Sequence, residues 1–134
     1  MTLLLQGRIE YVLLHYASRA LYGPLLQAGV HIHEYQRSFL HAKVAVIDSC
    51  WSTVGSSNID PFSLALAREA NVVVYDAGFG QQLRASLMQA LEGGAQVVSR
   101  SGWMRQSWWQ RVPIWIGYGL ARLLMGLAGY GQGR

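Results

Sequence analysis

Three polar side chains at chemically useful spacings lie within one short stretch of the sequence. His41 and Lys43 stand at the start of the apolar run 44–47, and Asp48 follows it. A β-branched run of this length predicts a buried strand, and side chains alternate between the two faces of a strand. We therefore expect His41 and Lys43 on one face, whereas Asp48 falls on the other and holds the turn or the neighbouring backbone.

A second strand is predicted over residues 51–55, directly after that turn. Two strands joined so closely pair as an antiparallel hairpin, so the end of the second strand lies beside the start of the first. The polar residues that follow, Ser56 and Asn58, are thereby brought to the same rim as His41 and Lys43.

The chemistry of these four residue types is that of phosphoryl transfer. An imidazole can act as a nucleophile or a proton shuttle near neutral pH, and a lysine supplies a fixed positive charge to a phosphate. Serine and asparagine can donate hydrogen bonds to the remaining phosphate oxygens.

The pattern H-x-K-x-x-x-x-D followed by G-S-x-N resembles the HKD signature of the phospholipase D superfamily. In this sequence it reads His41, Lys43 and Asp48, then Gly55, Ser56 and Asn58. More narrowly, HAKVAVID and GSSNIDPFSLALAREANVVV are similar to the C-terminal half of bacterial cardiolipin synthases, and the paired tryptophans of the tail fit the B-type group. The resemblance extends from about Thr2 through Trp108 and Trp109.

The resemblance implies roles for particular residues. The catalytic set is His41, Lys43, Asp48 and Glu69, and the phosphate-binding set is Lys43, Ser56 and Asn58.

Glu69 enters the catalytic set because enzymes of this superfamily place a glutamate about this far beyond the motif, where it hydrogen-bonds the catalytic histidine. We expect Glu69 to orient His41. The alternative is a surface ion pair with Arg68 or Arg37, the common fate of an exposed carboxylate.

Superfamily sites combine two HKD motifs, and this sequence contains one. One histidine attacks phosphorus to give a phosphohistidine, and the other protonates the leaving alcohol. The resemblance therefore implies a second motif, from a homodimer mate or from a missing N-terminal half. Because the matched half is the C-terminal one, His41 would be the general acid and base. Met1 leads almost directly into a predicted strand, which favours a sequence that begins partway through a longer chain.

The implied reaction transfers a phosphatidyl group from one phosphatidylglycerol to the hydroxyl of another. Two alternatives are a dimeric phosphodiesterase or nuclease and an inactive fragment that needs an N-terminal half. The GSSNID context and the aromatic, basic tail favour an anionic phospholipid over nucleic acid. No metal or other cofactor is expected, because Lys43 and Asn58, doubled by a partner motif, can carry the phosphate charge. His31 and His33 form an H-x-H pair without an evident third ligand.

The remaining pattern predicts an α/β fold, a phospholipase D-like half-domain in which a mixed β-sheet is flanked by helices. A strand over 2–6 precedes an amphipathic helix from Ile9, with Tyr22 on its polar face, and Gly23-Pro24 interrupts this helix. Strands are predicted at 30–36 and 71–75, a helix at 80–91, and an edge strand at 96–99. This domain spans residues 1–100, within a chain of 134 residues.

Residues 101–134 form a C-terminal helical tail of different composition, in which tryptophans alternate with arginines. The net charge of +4 suits an anionic partner. Arg122 lies near the middle of the apolar run 114–130, and a central arginine costs on the order of 3 kcal/mol on insertion scales. We therefore expect the tail to lie in the interface of the bacterial inner membrane, as a peripheral segment. A core helix packed on a missing half is the alternative.

Overall fold

The computed structural model describes residues 1–56 and 69–130. Its elements are β1 (Thr2–Gln6), α1 (Val12–Arg19), α2 (Tyr22–Gln27), β2 (His31–Tyr35), β3 (Lys43–Ile47), β4 (Trp51–Gly55), β5 (Asn71–Tyr75), α3 (Ala77–Gly94), β6 (Ala95–Val97), α4 (Arg100–Met104) and α5 (Trp108–Tyr130). The predicted α/β class is confirmed. The strands form two small sheets, each with helices beside it.

The chain divides into two compact units. The terminal unit comprises Met1–Phe39 with Ala95–Arg134, and the central unit comprises Leu40–Gly94.

The terminal unit contains a mixed three-stranded sheet in the order β1-β2-β6. β1 and β2 are parallel, with Thr2 opposite His31 and Gln6 opposite Tyr35. Parallel neighbours need a crossover connection, and α1 and α2 supply it. β6 adds an antiparallel edge, where Val97 pairs with His33.

The core of the terminal unit lies between α2, α4 and this sheet. Tyr22, Leu26 and Ile32 are its buried residues, and Ile32 is fully enclosed. Trp103 packs against Tyr22 with a ring-centroid distance of 5.1 Å. Aromatic pairs at this separation add favourable energy beyond the burial of their area.

The predicted amphipathic helix is two helices, broken at Ala20 and Leu21. The expected interruption at Gly23-Pro24 was wrong, because both residues lie inside the first turn of α2. The break resets the helical phase, so the placement of Tyr22 on the polar face was wrong, and this side chain is buried. α2 ends at Gln27, and Gly29, with φ 80°, turns the chain into β2. A positive φ is readily adopted by glycine, and a helix commonly ends this way.

α5 packs on α1 within the same unit. The contact is close at Gly117, where an added Cβ would meet the Tyr16 Cβ at 2.9 Å and the Ala17 nitrogen at 3.4 Å. Ile114 and Ala121 are buried on this side of α5. No helix in the described part of the chain combines the length and hydrophobicity needed to cross a bilayer.

The central unit contains an antiparallel sheet in the order β3-β4-β5, and α3 packs on it. Asp76 begins α3, since its carboxylate accepts a hydrogen bond from the Phe79 N–H at 2.6 Å. Four residues on, Gly80 is buried against the β3–β4 turn, and a Cβ there would meet the Ser49 carbonyl oxygen at 2.5 Å. Arg84, one turn further along α3, donates to the Ser49 hydroxyl at 3.3 Å.

Candidate functional site

The pairing register of the central sheet brings the segments of the predicted site together. Lys43 pairs with Gly55, and Gly55 pairs with Asn71, so these residues form one row across the three strands. His41 lies two residues before this row on the first segment, and Glu69 lies two residues before it on the third. The hairpin prediction is confirmed, and the chain segments that carry His41, Lys43, Ser56 and Glu69 meet at one end of the sheet.

His41 and Lys43 are linked through the backbone that joins them. His41 is exposed in the irregular segment just before β3, and Lys43 is half-buried as the first residue of that strand. The Lys43 Nζ donates to the His41 carbonyl oxygen at 3.3 Å. The ammonium group is therefore held beside the segment that carries the imidazole.

Ser56 fastens the end of β4 to the start of β5. Its backbone N–H donates to the Ala70 carbonyl at 3.0 Å, and its hydroxyl accepts from the Ala70 N–H at 3.1 Å. The hydroxyl also lies 3.4 Å from that carbonyl, which it can bond as a donor. Ser56 thus positions the backbone next to Glu69, and the phosphate-binding role expected of it stays a prediction.

Gly55 is required by the close approach of β5. A Cβ at this position would overlap the side chain and the neighbouring backbone of β5, contributed by Asn71 and the Ala70 carbonyl. The glycine of the G-S-x-N pattern therefore has a packing reason, because a larger residue would push β4 and β5 apart beside the site.

Asp48 lies at the opposite end of β3. It is exposed in the turn between the hairpin strands, where Asp48 and Ser49 have φ values of 50° and 54° and the Cys50 N–H donates to the Ile47 carbonyl at 3.2 Å. Two successive positive φ values are typical of a type I′ turn, and aspartate tolerates this conformation better than most residues. At a rise of about 3.4 Å per residue, Asp48 is roughly 17 Å along the strand from Lys43.

Asn58, the second predicted phosphate ligand, lies outside the described residues, as does Arg68. Glu69 is half-buried where the described chain resumes. Its expected hydrogen bond to His41 stays a prediction.

A buried ionic cluster in the terminal unit was missed by the sequence analysis. The carboxylate of Glu34, only 8 % exposed, receives two hydrogen bonds from the Arg19 Nη2, at 2.7 and 2.9 Å, and one from the Tyr22 hydroxyl at 3.0 Å. Burial, reinforced by the Glu34 carboxylate, raises the pKa of Tyr22 well above its usual value. The available signal was that Glu34 shares a strand face with Ile32, so a carboxylate there needs a partner.

His15 lies near the same cluster. Partial burial, followed by the positive charge of Arg19, lowers the pKa of His15, while Glu34 opposes this shift.

No group of three or more His, Cys, Asp or Glu side chains within residues 1–56 and 69–130 could hold a metal ion. On β2, His31 is exposed and His33 is half-buried.

Comparison with known proteins places this chain in a family. Residues 2–91 match the sequence family described as "Cardiolipin synthase, PLD-like domain". The chain belongs to this family of phospholipase D-like domains, and the resemblance predicted from the HKD pattern is confirmed.

The chain is 37 % identical to cardiolipin synthase B of Escherichia coli K12 over 128 residues, which cover 96 % of this chain and 31 % of that protein. Cardiolipin synthase B of Salmonella typhimurium is 36 % identical over the same shares. Cardiolipin synthase A of Erwinia tasmaniensis is 33 % identical over 123 residues, covering 92 % of this chain and 25 % of the relative. The chain thus spans less than a third of the length of these relatives. No solved structure matches it.

Proposed function

We propose that this chain carries one HKD half-site of a phosphatidyltransferase of cardiolipin synthesis. The observation that carries this proposal is the register of the central sheet, which places the signature segments of His41, Lys43 and Ser56 at one end of three paired strands in a cardiolipin synthase domain. The reaction moves a phosphatidyl group between two phosphatidylglycerol molecules.

Two histidines share the chemistry. The histidine of one motif attacks the phosphorus of the donor lipid, a nitrogen–phosphorus bond forms, and the glycerol leaves with a proton from the other histidine. The acceptor hydroxyl then gives its proton to that second histidine and attacks phosphorus, which breaks the nitrogen–phosphorus bond. In an enzyme built from an N-terminal and a C-terminal half, His41 is the proton-transferring histidine. In a symmetric dimer it can be either the nucleophile or the proton-transferring histidine.

The other residues stabilise charge and geometry. Lys43, which is hydrogen-bonded to the His41 carbonyl, supplies a positive charge to the phosphate. Ser56 and Asn58 donate hydrogen bonds to it, and Glu69 orients His41. Asp48, at the far turn, acts through the hairpin and does not contact substrate.

A second HKD motif completes the site. It comes from a homodimer mate or from an N-terminal half, and the 31 % coverage of the E. coli relative leaves room for such a half.

The tail from residue 101 associates with the membrane surface through the exposed part of α5, whose other side packs on α1. The sequence from Ala95 to Arg134 contains five arginines and no acidic residue. On α5, Trp108 and Trp109 are exposed and stacked at 3.6 Å, and Trp115 is also exposed. Tryptophan at head-group depth and arginine on lipid phosphates favour peripheral binding at the bacterial inner membrane.

The test is cardiolipin formation from phosphatidylglycerol vesicles, followed by mass spectrometry. The chain is assayed alone and with the separately expressed N-terminal part of cardiolipin synthase B from E. coli. We expect cardiolipin and glycerol in at least one arm, and loss of both with His41→Gln, by at least a hundredfold if the histidine supplies general acid–base catalysis.

The matched control is His31→Gln, an identical change at an exposed histidine outside the signature. It should leave the rate unchanged. Cardiolipin formation that survives His41→Gln would refute the assignment, and His41-dependent DNA cleavage without lipid transfer would show the nuclease alternative instead.

A further inference from the structure

An apolar groove lies between two helices of the terminal unit, beside the close contact at Gly117. It is open, has a volume of about 470 Å³, and is lined by nonpolar side chains. α1 contributes Val12, Leu13 and Tyr16, and α5 contributes Val112, Ile116 and Leu120 among others. This volume is within the range of small-ligand sites, about 300–1,000 Å³.

The chain itself leaves the walls of this groove open to solvent. Val12 is 61 % exposed and Ile116 is 63 % exposed. Covering these walls with an apolar ligand would remove nonpolar surface from water, which is favourable.

The charge around the groove indicates what occupies it. The sequence of the terminal unit has eight arginines and two glutamates, and Glu34 is already paired with Arg19. Arg105 and Arg122 are exposed before and after the α5 wall of the groove. Each of these two arginines makes one hydrogen bond within the chain, from Arg105 to the Ser101 carbonyl at 3.4 Å and from Arg122 to the Tyr118 hydroxyl at 3.5 Å, and each guanidinium has further N–H donors for an anion. Arg111 is held by two hydrogen bonds, to the Trp103 and Met104 carbonyls at 3.2 and 3.1 Å.

An apolar cleft in a cationic surface fits a molecule with a hydrocarbon chain and an anionic head. A second copy of this chain fits less well, because it would bring an equally cationic helix against the first. Along α5 the groove walls run from Val112 to Leu120, about 12 Å at the helical rise, which suits an extended chain lying parallel to the helix.

We propose that this groove seats one acyl chain of an anionic phospholipid, with the phosphate directed toward the exposed arginines. The inference rests on the proposed function for the class of lipid, but its residues lie outside the HKD signature. Binding is noncovalent. The groove would bind one lipid molecule at a defined position, whereas general adsorption of the protein to a bilayer requires no such lipid site.

Titration with a short-chain lipid in the absence of bilayers tests this directly. Dihexanoyl phosphatidylglycerol, kept below its micelle-forming concentration, is titrated into the full chain in a calorimeter. We expect saturable binding with one lipid per chain. Glycerophosphoglycerol, which has the same head group without acyl chains, should not bind measurably, and dihexanoyl phosphatidylcholine should bind more weakly.

Ile116→Asn and Leu123→Asn form a matched pair on α5, with similar exposure of 63 % and 59 % and only the first in the groove. Ile116→Asn should weaken binding about tenfold, as expected when part of an isoleucine contact is lost. Leu123→Asn should stay within about twofold of the wild type, since it removes no contact with the seated chain.

The inference would be overturned if the two substitutions had equal effects or if the lipid did not bind. It would also be overturned if sedimentation showed a dimer that depends on Ile116 while no lipid is bound. The cardiolipin assay separates this failure from failure of the proposed function. If cardiolipin is made but the short-chain lipid does not bind, only the groove site is refuted. If the lipid binds in an Ile116-dependent way but no arm of the assay makes cardiolipin, only the transferase proposal is refuted.

Discussion

Removal of Arg19 should severely destabilise the terminal unit. In Arg19→Met the aliphatic part of the side chain is retained, but the Glu34 carboxylate loses two hydrogen bonds and its counter-ion. The carboxylate stays buried, with its side chain 10 % exposed. Breaking a buried pair by removing one partner costs about 3–5 kcal/mol, because an uncompensated charge is left behind.

The lower end of that range applies, since the Arg19 side chain is 25 % exposed and solvent screens part of the interaction. Natural domains have a total stability of about 5–15 kcal/mol, so this loss is a large fraction of it. With a urea dependence of about 1.5 kcal/mol per molar, a loss of 3 kcal/mol moves the unfolding midpoint down by about 2 M.

Urea unfolding followed by circular dichroism and tryptophan fluorescence measures this shift. Trp103 packs directly on Tyr22 and so reports on the affected core. Arg37→Met is the matched control, an identical change at an exposed arginine of the same unit, and should stay within about 0.5 kcal/mol of the wild type.

The double variant Arg19→Met with Glu34→Gln should recover part of the loss, because the remaining buried group is then neutral. A midpoint for Arg19→Met within 0.5 M of the wild type, instead of a shift of roughly 2 M, would show that the Arg19–Glu34 pair does not stabilise the terminal unit.

Two further predictions concern the site and the core. Gly55→Ala should lower cardiolipin formation at least about tenfold in the assay with the added N-terminal part, and should lower the free energy of thermal unfolding by roughly 1–3 kcal/mol. The reason is that the added methyl group overlaps Asn71 and displaces β5. Full activity of this variant would contradict the packing argument. The pKa of Tyr22 is raised in the folded protein above its unfolded value of about 10, so the associated stability is present below about pH 10 and is lost as the pH rises further. Urea midpoints measured between about pH 9 and pH 11 should therefore fall more steeply for the wild type than for Tyr22→Phe, and equal slopes would exclude Tyr22 as the cause.

The hairpin that positions the signature was predictable because its signals are local. The β-branched run before Asp48 and the short turn after it fix the pairing of β3 with β4. The expectation that this strand is buried was wrong, because every residue of β3 is half-buried or exposed. β5 was equally clear from its apolar run, although its pairing with β4 depends on residues distant in sequence.

The helices were harder to predict because their boundaries decide which faces are buried. A continuous helix from Ile9 put Tyr22 with the polar residues, whereas the break at Ala20 and Leu21 turns it into the core. The contact of Arg19 with Glu34 joins residues 15 positions apart and depends on where the end of α1 lies relative to β2, which the sequence pattern does not specify.

The partition into two sheets also depends on tertiary packing. β6 was expected as an edge strand at 96–99, and it forms at Ala95–Val97, where it pairs with β2 of the terminal unit. The preceding helix α3 belongs to the central unit instead. Periodicity gives the order of these elements but does not say which sheet each strand joins.

The anchored turn at Asp48 and Ser49 has a consequence for how the site tolerates change. Because side chains alternate along a strand, a slip of one residue in the pairing of β3 with β4 would send Lys43 to the opposite face of the sheet. Gly80 and Arg84 of α3 contact Ser49, so the helix fixes the pairing register of β3 and β4 at the end of the hairpin remote from the histidine. Substitutions that never approach the phosphate can thus disable the site by changing which face of the sheet bears its lysine.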